Sequence, residues 1–164
     1  MPRRTMLVLV ALAAAISLPA QTNRLTFADA LTLAAESYPQ RTVFEIELDE
    51  RADGSMYEVT FFDGLEVIVD SSDGSMRESR DRDRDDRRSR RVAQNADGVR
   101  RVTELTDAIV RAQELVADGQ LREVGYAVEE RTPVVEVSFQ GGAEVSFRLD
   151  DGSLFEIDRS WDND

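Results

Sequence analysis

The stretch YEVTFFDGLEVIVD, Tyr57 to Asp70, decides the fold. Tyr57, Val59 and Phe61 alternate with Glu58 and Thr60, and Leu65, Val67 and Val69 alternate with Glu66 and Ile68. Period-two alternation marks two strands, each with one face buried and one wet. The turn between them fixes the register. A two-residue loop at Asp63-Gly64 would set Phe61 opposite Glu66 and carry a charge into the core. Keeping Phe61 opposite Leu65 requires the three-residue loop Phe62-Asp63-Gly64, whose last residue is left-handed. Glycine stands there. Phe62 is left at the loop tip, a candidate partner-binding aromatic that can equally pack against a second unit.

Upstream, Phe44, Ile46 and Leu48 alternate with Glu45, Glu47 and Asp49, which predicts a third strand joined through a turn at Asp53-Gly54. Before it, Phe27, Leu31, Ala34 and Tyr38 form a helical stripe that ends at Pro39. Thr26 and Asp29 have the spacing of a capping-box pair.

The whole pattern returns 78 residues later. Residues 27–76 match 105–154 without a gap, identical at 14 of 50 positions, including Phe61/Phe139, Gly64/Gly142 and Gly74/Gly152. A second helix carries Leu105, Ile109, Ala112 and Val116, with Thr103 as its expected cap and Gly119 as its terminator. The strands that follow carry Val124, Tyr126 and Val128, then Val135, Val137 and Phe139, then Ala143, Val145 and Phe147. The first two are joined by a turn at Arg131-Thr132-Pro133. The expected class is α+β, with two repeats of one helix packed on a three- to four-stranded antiparallel sheet.

The organisation is then a signal peptide over 1–20, a first domain over 25–76, a charged linker over 77–98 and a second domain over 99–158. Arg3 and Arg4 precede an apolar run from Met6 to Leu18, and Pro19-Ala20 offers a cleavage point. The run is short against the roughly 20 apolar residues of a spanning helix, so no membrane span is expected once the signal is removed. An uncleaved anchor is the alternative. Periplasmic or secreted localisation follows.

Composition closes most catalytic routes. The chain contains no His, no Cys and no Lys, and all 20 basic residues are Arg. This excludes Ser-His and Cys-His nucleophile pairs, Schiff-base chemistry, a phosphate-loop lysine and the usual zinc ligands other than carboxylates. Carboxylate-pair or oxygen-ligand metal chemistry stays formally open. The strand glutamates read as solvated, so no enzyme activity, catalytic residue, cofactor or metal is expected. The net charge of -13 disfavours nucleic acid and anionic lipid as partners.

Arg77 to Arg91 holds eight Arg against five acidic residues, the composition of a solvated connector or of a tether that docks on the acidic domains. Asp81, Asp83 and Asp85 hint at calcium, but Asp86 and Val92 stand where a calcium loop needs its glycine and glutamate. Asp70 to Gly74 and Asp150-Asp151-Gly152 read as turns.

The alanine-bearing helix, Tyr57-Glu58-Val59, the hairpin, Val67-Ile68-Val69-Asp70 and Asp73-Gly74 together resemble the PepSY domain of thermolysin-type metalloprotease propeptides and exported bacterial proteins. The second unit departs from it, with Val135 for Tyr57 and Arg148 for Asp70. The resemblance implies an extracytoplasmic, non-catalytic module that binds a peptidase and inhibits it or assists its folding. An envelope structural or sensory module without a peptidase partner is the alternative. Small units with no disulfide have marginal cores, so the two units are expected to pack together or the chain to self-associate.

Overall fold

In the computed structural model, the described residues are 24–51, 54–79, 92 and 102–159. In chain order they form α1 (Phe27–Ser37), β1 (Val43–Arg51), β2 (Gly54–Phe61), β3 (Glu66–Asp70), β4 (Met76–Glu78), α2 (Val102–Leu115), β5 (Leu121–Glu129), β6 (Thr132–Phe139), β7 (Ala143–Arg148) and β8 (Leu154–Arg159). The strands make one antiparallel sheet in the order β4-β3-β2-β1-β5-β6-β7-β8.

That continuous sheet overturns the expectation of two repeats, each a helix on its own three- to four-stranded sheet. The join is β1 against β5, through Glu45↔Gly125, Ile46↔Val124 and Glu47↔Glu123. Two separate sheets would leave β1 and β5 as unpaired edges with exposed backbone donors and acceptors. Pairing them satisfies those groups and merges two marginal cores into one. A single buried cluster accordingly runs from Phe27, Leu31, Ile46 and Val59 in the first half to Leu105, Val124, Tyr126 and Val137 in the second.

The local devices are those of the sequence, with exceptions. Thr26 and Asp29 form the capping box: the Thr26 hydroxyl accepts from the Asp29 N–H, and the Asp29 carboxylate accepts from the Thr26 N–H at 2.9 Å. The Thr26 N–H first, and then the Thr26 hydroxyl, which also donates to that carboxylate at 2.7 Å, hold the Asp29 carboxyl below its ordinary value. The Phe62-Asp63-Gly64 loop is present: Phe61 N–H donates to the Leu65 carbonyl at 2.8 Å, and Gly64 has φ +83°. Arg41 is ion-paired with Asp63 beside it.

The exceptions have clear causes. A bulge at Val43/Glu45 shifts β1 by one residue, so Val43, Ile46 and Leu48 share the helix side, and Phe44 is the extra residue. β5 repeats the irregularity at Leu121/Glu123. Of the turn expected at Asp53-Gly54, Gly54 already belongs to β2, opposite Arg51, and Asp53 lies outside the described residues. The turn expected at Arg131-Thr132-Pro133 is Glu130-Arg131, both left-handed, with Thr132 and Pro133 already in β6. α2 starts at Val102, which places Thr103 inside its first turn instead of at its cap. β4 runs to Glu78, two residues into the span assigned to the linker; the rest of that span, apart from Ser79 and buried Val92, lies outside the described residues.

Candidate functional site

Helices and apolar side chains occupy one side of the sheet, so strand parity sends the remaining residues to the other. One row across seven strands there is Ile68, Glu58, Glu47, Glu123, Ser138, Glu144 and Asp158. Its neighbour is Glu66, Thr60, Glu45, Gly125, Glu136, Ser146 and Glu156. Each half alone shows only alternating glutamates. The β1–β5 join sets Glu47 directly beside Glu123 and makes one acidic surface.

Within it, Glu129, Glu136 and Glu144 bring carboxylate oxygens to within 4.8 Å of one another. This corrects the view of every strand glutamate as simply solvated, since all three are half-buried. Burial raises the Glu144 pKa, and the neighbouring Glu129 charge raises it further. The Ser146 hydroxyl donates to Glu129, and the Ser138 hydroxyl lies 3.4 Å from Glu144. Three carboxylates with two hydroxyls form an all-oxygen set, the donor type a hard divalent cation takes, and calcium uses about 6–8 such oxygens. Sequence spacing hides the trio because it is drawn from three strands.

The Asp-Gly segments are turns, as read. Asp70 Oδ1 accepts from the Ser72 N–H at 2.8 Å, and Asp151 Oδ1 accepts from the Ser153 N–H at 2.8 Å. The Ser72 and Ser153 hydroxyls first, and these N–H groups second, hold the two carboxyls below their ordinary values. Asp81, Asp83 and Asp85 lie outside the described residues. Phe62 is half-buried, its ring centroid 5.1 Å from Phe44 and 5.6 Å from Tyr126. It therefore links the first half to the second.

The sheet ends at β4, three residues long, and β8, six residues long. β8 pairs with β7 on one side, and among the described residues no strand covers its other side. Leu154 at its start is 44% exposed, and Glu156 and Asp158 are exposed along it. Among the described residues no helix is long and apolar enough to cross a membrane.

No family model matches the chain, and no curated protein matches it. Among solved structures it is similar to a protein from Clostridium difficile 630 described as a candidate lipoprotein, at 10% identity, covering 85% of this chain and 95% of that one, with TM-score 0.42. It is also similar to a candidate calcium-regulated periplasmic protein from Bacteroides thetaiotaomicron, at 16% identity, covering 79% and 87%, with TM-score 0.29. A candidate periplasmic protein from Bacteroides vulgatus ATCC 8482 is similar at 19% identity, covering 88% and 99%, with TM-score 0.29. Likenesses this low leave function to be argued from the chain itself.

Proposed function

We propose that this protein is an exported, non-catalytic binding module that takes a segment of a protein partner as an added strand on β8. The open β8 edge carries the proposal. An edge strand presents a row of backbone donors and acceptors that an extended peptide can complete. Glu156 and Asp158, with Glu144 beside them, favour a basic segment there. Export to the periplasm or beyond is supported by the signal-like residues 1–20. The PepSY resemblance makes a peptidase the partner class, inhibited or assisted in folding.

The test is a capture experiment from envelope and culture fractions with the chain from Gln21 onward, followed by peptidase assays. Recovery of a secreted peptidase whose activity changes on adding the protein is the expected result. Single prolines placed along Leu154–Arg159 should abolish the change. Recovery of membrane or signalling proteins alone refutes the peptidase partner and favours the structural or sensory alternative. A change in activity that the prolines leave intact refutes strand addition.

A further inference from the structure

A groove of about 210 Å³ lies on the helix side of the sheet, between α2 and the β6–β7 region. Ala108, Val135, Phe147 and Leu149 supply its apolar wall, and Arg111 and Gly152 stand at one end. The first half shows what fills the same place. Seventy-eight residues earlier, Tyr57 stands for Val135, Leu33 for Arg111, Ser71 for Leu149 and Gly74 for Gly152. There the space is taken by Leu25, in the extended segment ahead of α1.

Leu25 is held through both of its backbone polar groups. Its N–H donates to the Ser71 carbonyl at 2.8 Å, and its carbonyl accepts from the Tyr57 hydroxyl at 2.7 Å. Its Cδ1 lies 3.3 Å from where a Cβ on Gly74 would stand, and Leu33 closes in at the same distance. At Gly152 the corresponding point meets just the Arg111 guanidinium, at 3.6 Å, among the described residues. Three differences leave this half open. Val135 lacks the phenol of Tyr57. Arg111 replaces the apolar Leu33, with its guanidinium over the Phe147 ring at 4.3 Å and a bond to the Gly152 carbonyl. α2 begins one turn earlier than α1 in the shared register, so Thr103, in the place of Leu25, is helical and cannot enter as an extended residue.

We propose that this groove binds an extended segment of a partner protein carrying a branched apolar side chain, seated as Leu25 is seated in the first half. The side chain enters over Gly152. The segment's N–H donates to the Leu149 carbonyl, the counterpart of Ser71, to which no described backbone N–H donates. Arg111 has five N–H donors and supplies one to the segment's carbonyl in place of the Tyr57 hydroxyl. The inference rests on the binding-module proposal and adds what the partner must present.

The probe is a synthetic peptide of residues Thr22 to Ala28, added to the methyl-labelled chain from Gln21 onward and followed by NMR. Saturable shifts of the Val135 and Leu149 methyls are expected. V135Y, which returns the phenol that holds Leu25 in the first half, should tighten binding, whereas Leu25→Ala in the peptide should weaken it at least tenfold. R111L, a milder change, should also weaken it. Absence of shifts overturns the proposal, and so does weaker binding by V135Y or unchanged binding by R111L, each with a normal melting temperature. Contacts from the chain's own residues 93–101 to Val135 would show an internal occupant and also overturn it. Prolines in β8 should leave this binding intact, so the two sites fail separately.

Discussion

Truncating Leu105 in the second half should loosen the first half by nearly the same amount. Leu105 is fully buried, on the face of α2 that packs into the common cluster. Leu→Ala at such a site removes the transfer free energy and leaves a cavity, costing about 2–5 kcal/mol. Taking about 3 kcal/mol, and about 1.4 kcal/mol per factor of ten, amide protection should fall roughly 150-fold wherever exchange occurs through global unfolding. One sheet joined at β1–β5 makes that opening common to both halves. Native-state hydrogen exchange on Leu105→Ala therefore should show matching losses at Ile46 and Val59 in the first half and at Val124 and Val137 in the second. Loss confined to the second half, with first-half protection at wild-type values, would refute the merged core and show two independent units.

Other perturbations test the local arguments. Folding raises the Glu144 pKa, so the folded chain holds that proton more tightly than the unfolded chain, and the group costs stability only as pH rises above the ordinary carboxylate range. Glu144→Gln should then raise the melting midpoint at pH 7 slightly, on the order of one degree, with the gain vanishing at acid pH; a gain that persists in acid would contradict this. Thr26→Ala should cost about 1 kcal/mol in urea unfolding at neutral pH. Asp29 has a lowered pKa, so its share of that loss should shrink as pH falls through the lowered value; a penalty independent of pH would count against the capping box. A Cβ at Gly125 would stand 3.0 Å from Glu45 Cγ and 3.3 Å from the Phe44 carbonyl oxygen, at the join of the halves. Gly125→Ala should cost about 1–3 kcal/mol by the same assay, and a neutral result would show that the join has slack.

The hairpin at Phe62-Asp63-Gly64 was legible because one constraint, no charge in the core, leaves one register and one residue with positive φ. The helix stripes and the Thr26–Asp29 pair were legible for the same local reason. The bulge at Phe44 was not, because Phe44 and Val43 are both apolar and alternation fits either choice. The Glu129–Glu136–Glu144 trio was hidden since its members are distant in a pattern that gives each strand a plain outward glutamate. Tyr57 and Val135 did mark the two halves as different, and that difference is one of the three that open the groove beside α2.

Alternation, turn chemistry and the 78-residue offset depend on interactions within a few residues or between adjacent strands, so the amino-acid order alone determined most of the elements, the register of the Phe62-Asp63-Gly64 hairpin and most of the inward faces. Whether β1 and β5 each remain an edge or pair with one another depends on which unsatisfied backbone groups find partners across 78 residues of chain. No local pattern encodes that choice. Only the tertiary structure decided it, and with it came the common core and the continuous acidic face, with β4 and β8 as the two ends of the sheet among the described residues.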